Sequence, residues 1–246
     1  MDKQPVIYKD LGIIDYKSAW DYQEDLVRQN INVKSKARSG ALCITDPLLL
    51  PTKHYLLFCE HPPVYTLGKS GSMNNVLLSE LEMEEKEIEF FNTNRGGDIT
   101  FHGLGQVVGY PILDLEKFYT DIGKYLRSLE EVIIQTIAEY GLQGERSPGE
   151  TGVWLEPGTP GKERKICAMG IRCSRWITMH GFALNVNTDL SYFNNIIPCG
   201  IQNKQVTSIE KELHRSIDIG EVKNKLVENF QLVFSTQVIS EFDIVQ

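Results

Sequence analysis

Three stretches of the 246-residue chain place apolar side chains at helical spacing. In residues 16–29, Ala19, Trp20, Gln23, Leu26 and Val27 share one face, and Asp15 is placed to cap the helix. In residues 121–140, Ile122, Leu126, Leu129, Ile133 and Ile137 repeat every three or four positions, with Gly141 placed to end the run. Residues 220–234 carry Val222, Leu226, Val227, Phe230, Val233 and Phe234 in the same rhythm. The acidic, amphipathic residues 78–89 predict a short surface helix. Strands are predicted for residues 54–60, 88–93 and 107–115, for a short piece, TGVWL, inside the loop-rich residues 143–161, and twice more between Lys165 and Ile201. The polar, basic residues 31–40 read as a mobile surface loop, and residues 61–71 (HPPVYTLGKSG) as turn-rich. Strands outnumber helices and do not alternate strictly with them. The pattern predicts an α/β (α+β) fold, a mixed β-sheet with helices packed on it, as a single domain over residues 1–246.

Composition adds little to the fold but excludes several functions. Apolar content of 41% and charged content of 24% are ordinary for a soluble protein. No apolar run approaches the roughly 20 residues of a membrane span, and the start, MDKQPVIYKDLG, has no apolar signal region. A cytoplasmic protein is expected. A net charge of −8 disfavours nucleic-acid binding. One local exception is residues 162–175, where Lys162, Arg164, Lys165, Arg172 and Arg175 face only Glu163 in sequence. That run is either a docking patch for an acidic partner or a solvated strand edge. The five cysteines are odd in number and include no C-x-x-C pair, which argues against a disulfide framework or a structural zinc site. Cys43 and Cys59 read as small buried hydrophobes.

Two phosphate-binding lookalikes fail. Gly161-Lys162 is followed by Glu163 and preceded at 156 by another glutamate, so the P-loop pattern is broken twice. The paired glycines after His102 lead into a strand, whereas a dinucleotide fingerprint opens a helix. Two stretches remain. Residues 95–106 (RGGDITFHGLGQ) hold four glycines with Arg95 and His102, either a hairpin or a loop whose backbone approaches a polar ligand. Residues 165–201 begin with Lys165 and end on Pro198-Cys199-Gly200, a turn that would present a thiol. Strand, turn and strand between them would bring Lys165 toward Cys199, and a lysine beside a thiol raises its thiolate fraction or takes its proton.

Taken together, residues 94–114 (NRGGDITFHGLGQVVGYPILD), 61–68 (HPPVYTLG), 165–170, 180–187 (HGFALNVN) and 198–201 (PCGI) resemble the octanoyltransferases of lipoate biosynthesis, the LipB-type lipoyl(octanoyl) transferases. The resemblance runs from about residue 55 to 210, with the blocks in the family's order. It implies the fold of the biotin and lipoate protein ligases. It also implies an acyltransferase that moves an octanoyl group from acyl carrier protein to an enzyme cysteine, then to a lysine of a lipoyl domain. This is the first step of endogenous protein lipoylation. By the same resemblance Cys199 is the acyl-accepting cysteine and Lys165 its partner base. The substrate-contacting residues are Arg95, Gly96, Gly97, Asp98, Ile99, Thr100, Phe101 and His102, then Ala168, Met169 and Gly170, then Gly181, Phe182 and Ala183. Phe101, Met169 and Phe182 are expected to line an acyl slot. No cofactor is implied, neither ATP nor metal, because the donor brings its own phosphopantetheine. The implied partners are octanoyl-acyl carrier protein and the lipoyl domains of 2-oxoacid dehydrogenase complexes and the glycine cleavage protein, with no nucleic acid and no membrane, and the protein a monomer. Asp98 and Leu104 depart from the family, which more often has glutamine and proline there. Leu104 changes loop stiffness, and Asp98 puts a carboxylate beside the site. Cys167 and Cys173 match no catalytic position. The competing readings are an ATP-using lipoate–protein ligase, a cysteine hydrolase with His102 or His180 as base, and a non-enzymatic lipoyl-domain binder.

Overall fold

Asp15 caps the first helix as expected, its carboxylate accepting the Ser18 N–H at 2.8 Å. The helix does not stop near residue 29, however. The computed structural model, which describes residues 3–197 and 205–240, runs α1 from Tyr16 to Arg38 and converts most of the predicted loop at 31–40 into helix. The inner face continues past Val27 with polar side chains. Asn30 exchanges two 2.8 Å hydrogen bonds with the Lys53 backbone, and the buried Lys34 ammonium binds Asp114, Glu116 and the Arg175 carbonyl. A search for apolar periodicity cannot see a face built from paired polar groups.

The strands follow in chain order: β1 (Gln4–Ile13) before α1, then β2 (His54–Glu60), β3 (Val64–Leu67), β4 (Glu89–Asn92), β5 (Ile99–His102), β6 (Gln106–Ile112), β7 (Val153–Leu155), β8 (Arg164–Ser174), β9 (Ile177–Asn185), β10 (Gln205–Val206) and β11 (Thr236–Ser240). Between them lie α2 (Glu80–Glu85), α3 (Ile122–Ala138), α4 (Ile209–Leu213) and α5 (Ile219–Phe234). The large sheet is ordered β10-β8-β9-β6-β2-β1-β11, with β7 added on β8. Parallel pairs (β1 with β2 and β11) and antiparallel pairs (β2–β6, β6–β9, β8–β9) coexist in it, so the sheet is mixed as predicted. A small sheet, β4-β3-β5, stands apart. It turns the segment read as turn-rich into a strand, and places β5 inside the stretch read as a glycine loop. Neither β1 nor β11 was expected, because their mixed polar and apolar residues give no clean alternation.

Helices α3 and α5 cover one face of the large sheet, burying Tyr125, Leu129, Ile133, Leu226 and Phe230 against Leu56, Val107 and Leu184. Helix α1 covers the other through Ala19, Leu26 and Val27 on Ile112 and Met179. Beside α1 this second face is left open, and the small sheet overhangs it. Among the described residues no helix is long and apolar enough to cross a membrane.

Candidate active site

Between the open face of β8, β9 and β6 and the overhanging small sheet lies a cavity of about 580 Å³. Its lining joins segments far apart in sequence. Gly96 N–H donates to the Ile171 carbonyl at 2.8 Å, laying the glycine-rich loop directly on β8. That approach needs Gly170, since a Cβ there would sit 2.6 Å from the Gly96 carbonyl oxygen. The loop's other anchor is Arg95, buried, with its guanidinium donating to the Thr66 carbonyl, the Thr66 hydroxyl and the Gly96 carbonyl. Arg95 therefore shapes the loop from inside.

Of the residues expected to contact substrate, Arg95, Gly96, Gly97, Asp98, Ile99, Thr100, His102, Ala168, Met169, Gly170, Gly181, Phe182 and Ala183 all line this one cavity, and so does Lys165. Phe101 does not. Its ring packs beside the cavity rather than on its lining. It stacks on Tyr192 at 4.5 Å and packs with Tyr65 and Phe193. Phe193, against which Phe101 packs, is itself on the lining, as are Met169 and Phe182. Cys199 lies outside the described residues, as does its whole Pro-Cys-Gly turn. The chain resumes at β10, where Val206 pairs with Lys165 and Thr207 N–H donates to the Lys165 carbonyl at 2.9 Å.

The lysine itself is half-buried. Its Nζ lies over the ring of Trp154 on β7, 4.5 Å from the centroid. The lining also includes Gln106 and Asn185 from the singled-out stretches, and Tyr16, Glu150 and Thr151 from outside them. The Tyr16 hydroxyl is held neutral, with the pKa raised to about 12 chiefly by burial.

Both nitrogens of His102 and Nε2 of His180 are engaged in hydrogen bonds. Gln106 spends its amide N–H groups on the Phe101 carbonyl and Asn185 Oδ1, leaving Oε1 to accept from His102 Nδ1 at 2.8 Å. His102 Nε2 then accepts from the Thr66 hydroxyl, 3.2 Å away. Burial first, then His61 and Arg95, holds His102 well below the usual imidazole range. His180 has φ +60°, in the middle of β9. The register on either side sets it opposite Pro111, and the His180 N–H donates to Gln23 Oε1 at 3.0 Å. Its Nε2 meets Asn94 Oδ1 at 2.7 Å, and burial lowers its pKa to about 3.

Asp98, the carboxylate that departs from the family pattern, accepts from Ile99 N–H at 2.7 Å and from Asn75 Nδ2 at 2.7 Å. It fastens the loop end to the segment before α2. Asp98→Ala is expected to lower stability by about 1–3 kcal/mol in denaturant unfolding, because Asn75 and Ile99 each lose a charged acceptor. An unchanged midpoint would show that the loop does not depend on it. Leu104 is exposed.

The basic run at 162–175 is not a free basic surface. Arg164 forks onto Glu212 at 2.6 and 2.8 Å and also reaches Glu156; Arg172 pairs with Glu24 at 2.7 Å; Arg175 donates to Ser35; Lys162 lies 3.9 Å from Glu156. Arg164 and Arg172, which look unopposed in sequence, are opposed in space by carboxylates from other elements. The cysteine reading also needs one change: Cys59 and Cys167 are buried, with their thiol pKa values pushed up by burial, but Cys43 is exposed and is no core residue.

Comparison with known proteins now fixes the family. Residues 15–231 match the lipoyl protein ligase A/B catalytic domain. An octanoyltransferase of Christiangramia forsetii is 57% identical over 97% of this chain and 99% of its own length. One of Flavobacterium johnsoniae is 58% identical over 94% and 97%. The chain belongs to the octanoyltransferase family. The fold of this octanoyltransferase-family acyltransferase is also that of a putative lipoate protein ligase from T. acidophilum with bound lipoic acid, at a TM-score of 0.67 and 15% identity over 98% of this chain and 89% of the other. The α/β prediction with its ligase-like mixed sheet is borne out.

Proposed function

We propose that this protein transfers an octanoyl group from octanoyl-acyl carrier protein to a lysine of a lipoyl domain through a thioester on Cys199, with Lys165 as the base. The observation that carries the reading is the cavity. It gathers Lys165 and all three resemblance-derived contact segments except Phe101 around one largely apolar space, and β10, six residues after Cys199 in sequence, is bonded alongside Lys165. In the first step the Cys199 thiol gives its proton to Lys165, and the sulfur adds to the donor carbonyl. The C–S bond to pantetheine breaks, and that thiol leaves with a proton. In the second step the acceptor lysine, relieved of a proton by Lys165, attacks the Cys199 thioester; an amide forms and the Cys199 sulfur leaves. One thioester replaces another, so the first step is near thermoneutral and uses no nucleotide.

The buried histidines argue against the hydrolase reading, since both nitrogens of His102 are bonded and burial makes His180 a weak base by lowering its pKa to about 3. The reading makes the protein a cytoplasmic monomer whose partners are the carrier protein and the lipoyl domains of 2-oxoacid dehydrogenase complexes and of the glycine cleavage protein. Purified protein, octanoyl-acyl carrier protein and an apo lipoyl domain, mixed without ATP and followed by intact mass, test it. Expected are an acylated enzyme, lost in Cys199→Ser, and an octanoylated domain. A requirement for ATP would point to the ligase chemistry, and free octanoate without acceptor to the hydrolase.

A further inference from the structure

We propose that Trp154 is a positioning residue for Lys165, part of a cradle that α3 braces from behind; this rests on the role of Lys165 proposed above. A lysine stem has four rotatable bonds, and fixing it in one geometry opposes considerable rotamer entropy. Among the described residues no carboxylate lies within ion-pair distance of Lys165 Nζ, so an ion pair does not fix it. What lies against the stem is β7. Trp154 and Lys165 are direct partners across the β7–β8 pair, with a register shift between Val153 and Trp154 that brings the indole alongside the lysine. The indole, only 3% exposed, presents its face to Nζ at 4.5 Å, inside the range where a ring face attracts an ammonium.

The other side of the stem meets backbone. Gly152 has φ +111°, and a Cβ there would be 3.7 Å from Lys165 Cε and 2.5 Å from the Cys167 carbonyl oxygen. Its N–H donates at 3.0 Å to Glu130 Oε1. Glu130, fully buried on α3, also binds Arg127 at 2.8 Å and Arg146 at 3.1 Å through Oε2. Trp154 is fixed in turn by reciprocal backbone bonds with Glu145, at 2.8 and 2.9 Å. The ring and the glycine are thus tied to the rigid body of the fold, and the lysine, a flexible group, takes its direction from them.

Steady-state transfer by the full chain, comparing wild type with Trp154→Leu and Trp154→Phe, tests this. Trp154→Leu is expected to lower kcat about 2- to 30-fold with KM for the donor unchanged, and Trp154→Phe, which keeps a ring face, to recover most of it. Equal losses in both variants, a loss confined to KM, or no loss overturns the proposal. A second measurement needs no change at Trp154. In reductively 13C-methylated protein, the Lys165 methyl signal, assigned by its absence in Lys165→Arg, is expected upfield of ordinary dimethyl-lysine because it lies over the ring. An unshifted signal overturns the proposal even if the kinetics agree. The two readings separate cleanly: transfer that survives Lys165→Ala removes the base assignment and the proposal with it. Transfer lost in Lys165→Ala but untouched in Trp154→Leu removes only the positioning role.

Discussion

Lys165→Ala is expected to reduce octanoyl transfer by about 10²- to 10⁴-fold, the range that a single general acid–base group supplies. The reason is its place. Lys165 lines the cavity with an amine side chain, whereas His102 has both nitrogens engaged and burial makes His180 a weak base. Both half-reactions should slow, because each begins with a proton leaving a nucleophile. Following enzyme acylation and acceptor transfer separately by quenched-flow mass spectrometry distinguishes this from a defect in docking, which would slow one half-reaction only. Lys165→Arg should fail nearly as badly despite keeping the charge, since a guanidinium does not deprotonate near neutral pH. A soluble primary amine should restore part of the rate to the alanine variant. Full activity in Lys165→Arg would mean that the residue contributes charge alone, and the base assignment would fall.

How much of this was legible beforehand depended on which physical signal each element carries. The helices α3 and α5 announced themselves because their buried faces are aliphatic and aromatic, and His54–Glu60 was found to its exact ends because it is buried along its length. Helix α1 was cut short where its inner face turns from Val27 to Asn30 and Lys34. Those residues are buried only because Lys53, Asp114 and Glu116 satisfy them, partners up to 82 residues away. The same limit applies to the basic run, where Arg164 and Arg172 look unopposed until Glu212 and Glu24 arrive from other elements. The cavity lining was legible through the resemblance and through glycines that allow backbone contact, as at Gly170. Phe101 packs in the aromatic cluster behind the lining, a placement that depends on Tyr192 and Phe193 from a distant segment. Tyr16 carries no such signal in sequence, since it reaches the cavity only through the tertiary approach of α1.

The buried histidines set the last expectation: the protein should lose stability steeply as pH falls from 7 toward 5. His54 and His180 are held at about 3 and His61 at about 4, each mainly by burial, and His102 is well below its ordinary value for the same reason. In the unfolded chain all four return to about 6.5. A histidine pKa depressed by folding means that between the two values only the unfolded state binds the proton, so its stabilising contribution is complete above about pH 6.5 and drains away as pH falls toward the folded value. From His54, His61 and His180 alone the slope at pH 5 approaches about 4 kcal/mol per pH unit and the loss between pH 7 and 5 sums to about 6 kcal/mol, with His102 acting in the same direction. That is comparable to the whole stability of an ordinary domain, about 5–15 kcal/mol. Urea unfolding at pH 7, 6 and 5 measures it. The midpoint should fall sharply over this range while the dependence on urea concentration stays constant, and His61→Gln should flatten the pH slope by about one proton's worth. The His61 case has particular content. Its ring bridges the Ile14 carbonyl at 2.7 Å and the Tyr110 hydroxyl at 2.8 Å, tying the entry of α1 to the cavity floor on β6. Protonating it adds an N–H where Nε2 now faces Tyr110, so acid should loosen the Tyr16 end of the cavity before the aliphatic core under α3 and α5 gives way. Loss of ligand-site structure and global unfolding at one common pH would show instead that the two halves of the fold melt together.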